Sequence, residues 1–186
     1  AGILGRIRSF ARKRTAQRET IAPRELVDEA VALFRGMLAQ APPVEVDDAL
    51  PTATLIQVDR LQIQQVLLNL LKNAWDASRG LSAERQRIDI GLEVADGNLL
   101  IRVRDYGSGL DDGAREQLFE SFFTTKADGL GLGLSICRSI AEAHGGRLSA
   151  ATPAESARPG SAGALFILSL PLPAQLPQAA AAATPP

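Results

Sequence analysis

The sequence predicts an α+β fold of two layers, in which a mixed, mostly antiparallel sheet carries helices on one face. Three observations favour this fold. Apolar and polar residues alternate over 88–94 and 99–104, and the Asp96-Gly97 pair between the two runs is a strong hairpin turn signal. Helical and strand-like segments do not follow one another as strand–helix–strand units. Of the 186 residues, 46% are hydrophobic, which is enough to bury one sizeable core.

Helical spacing of apolar residues, together with start and stop signals, predicts four helices. They are expected over residues 3–18, from 20–23 to before 42, from 59 to about 79, and from about 132 to 144. The first is amphipathic, with Ile3, Ile7 and Phe10 on one side and arginines on the other. A further short helix is expected at 113–119.

Short apolar runs predict the remaining strands. Residues 44–46 and 54–58 are expected to form two short strands around a turn at Pro51. Residues 148–151 and 164–170 predict two more strands near the end of the domain. With the hairpin, these strands would form the predicted sheet.

Composition divides the chain into three parts. Residues 1–19 carry a net charge of +5 and the remaining residues carry −6, so the whole chain carries −1. A net charge this small does not indicate nucleic-acid binding. We expect residues 1–20 to form a separate basic helical element and 21–172 to form the folded domain. The Pro- and Ala-rich residues 173–186 are expected to be disordered.

The chain has one cysteine, Cys137, and one histidine, His144. These counts exclude an internal disulfide, a Cys-rich zinc site and an all-His metal site. Apolar runs are too short for a signal peptide or a membrane span. We therefore expect a soluble domain of a reducing compartment, cut from a longer protein and without membrane contact of its own.

Two asparagines, Asn69 and Asn73, lie four residues apart on the third predicted helix and so share a face. Amides among leucines and valines are costly unless they have partners, and an amide oxygen is a suitable ligand for Mg²⁺. The alternative is that both amides bond to the backbone.

Asp105 follows the predicted hairpin directly, within the pattern Asp-x-Gly-x-Gly. Gly107 and Gly109 would let a ligand approach the backbone, and the carboxylate could accept a hydrogen bond from the exocyclic amine of adenine. The alternative is a tight turn without a ligand.

Two further segments favour phosphate binding. In residues 119–126 three phenylalanines precede Thr124, Thr125 and Lys126, as in a flap that brings donors to phosphate; a core cluster is the alternative. Residues 129–134 (GLGLGL) lead into a helix, whose N-terminus would bind an anion; a flexible hinge is the alternative. This glycine spacing matches neither the dinucleotide fingerprint nor the Walker pattern.

In this order and spacing, the four motifs resemble those of the sensor histidine kinases. The correspondences are residues 69–74 with the N box, 105–109 with the G1 box, 118–126 with the F box and 129–134 with the G2 box. His144-Gly-Gly and Gly163-Ala-Leu-Phe resemble the closing motifs of the family. The likeness covers residues 21–172, and the superfamily also contains gyrase, chaperone and mismatch-repair ATPases.

The resemblance implies the histidine-kinase type of ATP-binding fold, with ATP and Mg²⁺ as its ligands. By this mapping the ATP-binding residues would be Asn69, Lys72, Asn73, Asp76, Asp105, Gly107, Gly109, Leu110, Phe122, Thr124, Thr125, Lys126, Gly129, Leu130, Gly131, Leu132 and Gly133. Asn73 would bind Mg²⁺, with Asn69 in support, and Asp105 would contact adenine.

The resemblance implies a lid over the phosphates, which would be short here because only two residues separate Lys126 from Gly129. That length is similar to the nitrogen-regulation and oxygen-sensing kinases. Two positions depart from the family pattern: Ser121 stands where proline is usual, and Tyr106 where asparagine is usual.

The resemblance implies transfer of the γ-phosphoryl group of Mg-ATP to a histidine on a separate dimerisation domain, in two-component signalling. The hydrolases of the superfamily carry glutamate at the position of Asn69, and an amide cannot serve as that general base. A superfamily ATPase or a degenerate ATP-binding module is the alternative. His144 is expected to be structural, so no acceptor histidine is identified in this chain. The chain alone should therefore form no phosphohistidine with ATP.

The resemblance also implies partners. Residues 1–20 would be the end of the second helix of the dimerisation domain plus a linker. The expected partners are that domain and a response regulator, with no nucleic acid. The fragment would be monomeric and cytoplasmic. The parent protein would be homodimeric, and the sequence leaves open whether it is anchored in the inner membrane.

Overall fold

A computed structural model describes residues 17–110, 117–120, 131–151 and 163–173. These contain three helices and a short 3-10 helix: α1 Pro23–Gly36, α2 Arg60–Ser78, α3 Gly133–Ala143 and the 3-10 helix Ala83–Arg85. They also contain seven strands: β1 Glu19–Ile21, β2 Val44–Asp48, β3 Ile56–Val58, β4 Ile88–Ala95, β5 Asn98–Asp105, β6 Arg147–Ala151 and β7 Leu165–Pro171.

The main sheet has five strands in the order β2-β4-β5-β7-β6. Only the pair β2–β4 is parallel among these strands, so the predicted mixed, mostly antiparallel sheet is confirmed. The β4–β5 hairpin turns at Asp96 (φ 51°) and Gly97 (φ 74°). Both residues adopt left-handed backbone conformations, as a two-residue hairpin turn requires.

The core lies between one face of the sheet and the helices. Alternate residues of β4, β5 and β7 are buried, and their neighbours are half-exposed, as expected for a sheet covered on one side. Helix α2 contributes six buried apolar residues to the same core: Ile63, Val66, Leu67, Leu70, Leu71 and Ala74. The two-layer prediction is therefore confirmed.

The pairing of the short strands differs from the sequence prediction. Residues 44–46 and 54–58 do form strands, but they do not pair around Pro51. Strand β2 joins the main sheet beside β4, while β3 pairs antiparallel with β1 in a separate two-stranded sheet. These pairings join distant segments, so local sequence patterns did not reveal them. Helix α1 also ends earlier than expected, at Gly36 rather than at the prolines.

The first turn of α2 is held by residues from distant parts of the chain. The Asp59 side chain caps the helix by accepting a hydrogen bond from the Gln62 amide at 3.2 Å. Arg60 forms ion pairs with Glu19, Glu25 and Glu29. The start of the helix is thereby tied to β1 and α1.

His144 is buried, and both of its ring nitrogens have partners. Its Nδ1 lies 2.8 Å from the Ile140 carbonyl oxygen, and its Nε2 accepts the Asp59 backbone N–H at 3.0 Å. The Nδ1–H tautomer satisfies both contacts. His144 therefore joins the end of α3 to the start of α2.

No helix in the described ranges is long and apolar enough to cross a membrane. The predicted helix over residues 3–18 lies almost wholly outside the described residues. Most of the short helix expected at 113–119 also lies outside them, as does the predicted disordered tail, 173–186, apart from its first residue.

Candidate functional site

One face of α2 carries Asn69, Asn73 and Ala77 at intervals of four residues. Asn69 faces the start of α3, because a Cβ atom placed on Gly133 would lie 3.3 Å from the Asn69 Oδ1. Ala77 contacts the turn after β5, because a Cβ atom placed on Gly107 would lie 2.6 Å from its carbonyl oxygen. Eight residues separate Asn69 from Ala77, which is about 12 Å along the helix axis. Asn73 lies midway between them.

Asp105 ends β5 with only 2% of its surface exposed. Its Oδ1 accepts hydrogen bonds from the backbone N–H of Gly107 at 2.8 Å and of Ala164 at 3.1 Å. Burial raises the pKa of the Asp105 carboxyl, while the two backbone N–H groups and the charge of Arg104 act in the opposite direction. The carboxylate is thus fixed in place by the protein backbone, and both of these bonds use one oxygen.

The close approach of two strands at Asp105 requires a glycine before Ala164. A Cβ atom on Gly163 would lie 2.2 Å from the Asp105 carbonyl oxygen. The Gly163-Ala164 pair therefore brings β7 to the end of β5, where the Ala164 amide reaches the carboxylate. The sequence motif at residues 163–166 did not predict this contact.

The turn after Asp105 is shaped by its glycines. Gly107 is buried against α2 and has no room for a side chain. Gly109 has a φ of 84°, in the left-handed region that glycine adopts without strain. Leu110 packs partly buried against the core. The predicted residues of this motif therefore lie together beside the end of α2.

Cys137 is a second neighbour of Asn69. The thiol is fully buried on α3, and the neighbouring Asn69 side chain partly offsets the effect of burial on its pKa. Burial raises its pKa to about 11, so the thiol is protonated at neutral pH. Gly133 and Cys137 thus place α3 against the Asn69 side chain. From the sequence, Cys137 had no role beyond excluding a disulfide and a Cys-rich zinc site.

The start of α3 offers backbone N–H groups. Gly131 has a φ of 64°, and Leu132 occupies the position before the first helical residue, Gly133. The first N–H groups of a helix lack acceptors within it, so they favour a negatively charged ligand. Gly133 lies against Asn69, and Gly131 and Leu132 precede it directly in the chain.

A groove of about 780 Å³ borders the same helix. Its lining includes Asn69, Lys72 and Asp76 on one side. The apolar part includes Phe34, Met37, Leu61, Leu68 and Trp75. Lys72 is exposed, and Asp76 is half-buried. Three of the four predicted site residues on α2 thus line this groove, and Asn73 is not among its lining residues.

Several predicted site residues lie outside the described ranges. These are Phe122, Thr124, Thr125, Lys126, Gly129 and Leu130. Their roles stay predictions. In the part of the chain that the structure covers, no group of three or more His, Cys, Asp or Glu side chains could hold a metal ion.

Arg85 is a site neighbour that sequence analysis missed. Its Nε donates to the Tyr106 carbonyl at 2.9 Å, and its Nη2 donates to the Gly107 carbonyl at 2.6 Å. The residue lies in a charged loop, and no sequence pattern distinguishes it from the other arginines there. Only the folded structure brings it to the turn.

The family described as histidine kinase-, DNA gyrase B- and HSP90-like ATPase matches residues 58–174. The chain belongs to this ATPase family. The match contains every predicted site residue from Asn69 to Gly133 and reaches past the closing β7. The fold expected from the sequence motifs is the fold of this family.

Relatives of this ATPase domain include named sensor proteins. The chain is 40% identical over 171 residues to the sensor protein FixL of Bradyrhizobium diazoefficiens. This alignment covers 91% of the chain and 32% of FixL. It is 36% identical over 173 residues to the sensor protein TdiS of Thauera aromatica, covering 91% of the chain and 30% of TdiS. The chain thus spans about a third of the length of these relatives.

Solved structures give the same result for the domain. The catalytic domain of histidine kinase ThkA matches with a TM-score of 0.70 and 29% identity, over 84% of this chain and 96% of that one. The mycobacterial sensor histidine kinase MprB matches with a TM-score of 0.68 and 25% identity, over 83% and 97%. The ATPase domain therefore shares its architecture with histidine kinase catalytic domains.

Proposed function

We propose that this chain is the ATP-binding catalytic domain of a sensor histidine kinase, which transfers the γ-phosphoryl group of Mg-ATP to a histidine on a separate dimerisation domain. The observation that carries the proposal is the spacing along α2. The turn after the buried Asp105 carboxylate contacts Ala77 at one end of this face, and the start of α3 contacts Asn69 at the other. The two contact points are about 12 Å apart along the helix axis, and this spacing suits a nucleotide with its base at one end and its phosphates at the other.

Asp105, Gly107 and Ala164 form what we call the purine end. Both backbone N–H groups bind Oδ1 of Asp105, so Oδ2 is the oxygen that would accept the exocyclic amine of adenine. The carbonyl oxygen of guanine at the same position would be repelled by the carboxylate. This arrangement supports selection of ATP over GTP.

Asn69, Lys72, Asn73 and Gly133 form what we call the phosphate end. Amide oxygens, an exposed ammonium and free helix N–H groups are suited to phosphate and to a hard cation. Thr124, Thr125, Lys126 and the backbone from Gly129 onwards would complete the phosphate end as a lid.

The residues present fit Mg²⁺ rather than a metal held by protein alone. Mg²⁺ keeps several waters and substrate phosphates and needs only one or two protein oxygens, which Asn73 and, in support, Asn69 would supply. When bound, the ion would neutralise charge on the phosphates. The Asn69 side chain lies against Gly133, at the start of α3.

Catalysis would consist of positioning and charge stabilisation, because phosphoryl transfer needs little covalent chemistry from the protein. The amide of Asn69 cannot abstract a proton from water, which favours an external acceptor over hydrolysis. His144 is an unsuitable acceptor, since it is buried and both ring nitrogens are engaged.

The acceptor helices would dock on the apolar groove beside the phosphate end. Met37 and Leu61 are exposed there, at 69% and 61%, and the groove also borders Lys72. Apolar surface next to the phosphates suits a helix pair that must bring its histidine to them. A response regulator would then receive the phosphoryl group from the dimerisation domain.

Calorimetric titration with Mg-ATP tests the proposal. We expect binding by the chain, weaker binding of Mg-GTP, and no phosphohistidine after incubation of the chain alone with labelled ATP. A chain that does not bind Mg-ATP would refute the proposal, and so would labelling of His144. Met37→Glu should leave Mg-ATP binding intact and reduce transfer to an added dimerisation domain.

A further inference from the structure

The turn after Asp105 is held by more than its own glycines. Arg85 ends the 3-10 helix between α2 and β4, and its guanidinium binds two consecutive carbonyl oxygens, those of Tyr106 and Gly107. A planar guanidinium donates two parallel hydrogen bonds from Nε and Nη, which a lysine ammonium does not reproduce. The side chain therefore fixes the orientation of two peptide groups at once.

The opposite side of the turn is closed by α2. A Cβ atom on Gly107 would lie 2.6 to 2.8 Å from atoms of Ala77, so the turn cannot move towards the helix. The Gly107 N–H donates to Asp105 Oδ1 at 2.8 Å. A displacement of Gly107 away from α2 would therefore remove a donor from the buried carboxylate. Arg85 opposes that displacement, because it holds the Gly107 carbonyl.

Tyr106 anchors the turn on the other face of the sheet. Its hydroxyl donates to Asp89 and accepts from Arg87 Nη2 at 2.8 Å. The guanidinium groups of Arg87 and Arg104 lie 4.2 and 4.7 Å from the ring centroid, within the range of cation–π attraction. The two residues that follow Asp105 are thus fixed by different devices, a side-chain anchor at Tyr106 and a main-chain clamp at Gly107.

We propose that Arg85 is a positioning residue for the purine end, which keeps the Asp105 carboxylate oriented to accept the adenine amine. The inference rests on the proposed function, because it gives that carboxylate its ligand. Arg85 touches neither nucleotide nor reacting atoms in this scheme; it acts by holding the Gly107 carbonyl and the Tyr106 carbonyl, which shares a peptide group with the Gly107 N–H. Its effect should therefore fall on the base and not on the phosphates.

The first readout needs no nucleotide. In the ligand-free chain, the Gly107 and Ala164 amide protons should resonate downfield and exchange slowly, because each donates to the buried carboxylate. Arg85→Ala should increase the exchange rate of Gly107 at least tenfold and leave that of Ala164 nearly unchanged, since the Ala164 backbone is held independently by the bond from the Asp105 N–H to its carbonyl. Arg85→Lys should give an intermediate rate, because an ammonium can restore one bond.

The second readout is nucleotide selectivity. Titration with Mg-ATP, Mg-GTP and magnesium tripolyphosphate should show roughly tenfold weaker ATP binding for Arg85→Ala, with a reduced ratio of ATP to GTP affinity and unchanged tripolyphosphate affinity. Arg102→Ala is the matched control, because it removes an arginine paired with Glu93 on the outer face of the same sheet. It should change none of these values.

The outcomes separate the two claims. If the wild-type chain binds no Mg-ATP, the proposed function fails, while the Gly107 exchange rate still decides whether Arg85 clamps the turn. If ATP binds and Arg85→Ala alters neither exchange nor the ATP to GTP ratio, the inference is overturned. Equal weakening of ATP and tripolyphosphate would also overturn it. Should Arg85→Ala fail to fold, Arg85→Lys carries the same comparison.

Discussion

The two ends of the candidate site are built differently. At the purine end the acceptor is a carboxylate that is 2% exposed, and the backbone supplies its partners. At the phosphate end the groups are half-buried amides, an exposed lysine and helix N–H donors. The difference indicates that the purine end is organised before the ligand binds. The phosphate end instead keeps its polar groups accessible to the ligand.

The largest expected effect comes from Asp105→Asn, which breaks the purine end. Mg-ATP binding should weaken roughly 10- to 100-fold, because an amide NH₂ replaces the oxygen that would accept the adenine amine. Calorimetry measures this change. Binding as tight as in the wild type would show that the carboxylate does not contact the base.

The same variant has an opposite effect on stability, which depends on pH. Because burial raises the Asp105 pKa in the folded state, the stability contribution of this group is present below its unfolded pKa and is lost as pH rises through the folded value. In thermal unfolding of the ligand-free chain, the stability of Asp105→Asn relative to the wild type should therefore increase from acidic to neutral pH. A difference that stays constant with pH would contradict this.

Gly107→Ala tests the packing of the purine end against α2. A methyl group there would overlap the Ala77 backbone, so we expect a loss of about 1–3 kcal/mol in unfolding free energy and weaker ATP binding. Gly91→Ala is the control, since its Cβ would lie 3.8 Å from the nearest atom, which is ordinary contact. Denaturant titration of both variants measures the difference.

Asn73→Ala addresses the phosphate end. Mg-ATP affinity should fall roughly tenfold, as is typical when a metal-supporting group is removed. Unfolding free energy without ATP should change little, because Asn73 is not part of the apolar core. A large loss of stability in the ligand-free chain would indicate that Asn73 is structural instead.

Gly133→Ala should have the smallest effect. Alanine at the first helical position stabilises α3 by about 0.4–1 kcal/mol through the unfolded chain. Its methyl group would displace the Asn69 amide by a few tenths of an ångström. Thermal unfolding should therefore show a slight gain, and titration a severalfold loss of Mg-ATP affinity. Unchanged affinity would mean that the position of Asn69 is not critical.

The same contrast explains what sequence analysis could predict. The β4–β5 hairpin is encoded locally, by alternation and by Asp96-Gly97, and it was predicted correctly. The pairing of β1 with β3 joins segments 35 to 39 residues apart in the register, and no local pattern encodes it. Long-range pairings of this kind are decided by tertiary packing.

Site residues divide in the same way. Asn69, Asn73 and Asp105 were proposed from the sequence because their side chains have the chemistry that a nucleotide site needs, and their roles stay predictions. Arg85 and Ala164 were not recognised as neighbours of the site, because their contacts involve backbone groups. The Arg85 side chain binds backbone carbonyls, and the backbone N–H of Ala164 binds Asp105. Residues of the predicted lid, such as Thr125 and Lys126, lie outside the described ranges and stay predictions.

The anchoring of the first turn of α2 has a consequence for folding. Asp59 is bound by His144, 85 residues later in the chain, and Arg60 by Glu19, 41 residues earlier. Each contact closes a long loop, and loop closure costs entropy before the contact can form. We therefore expect the first turn of this helix to become protected from hydrogen exchange late in refolding, after the local β4–β5 hairpin.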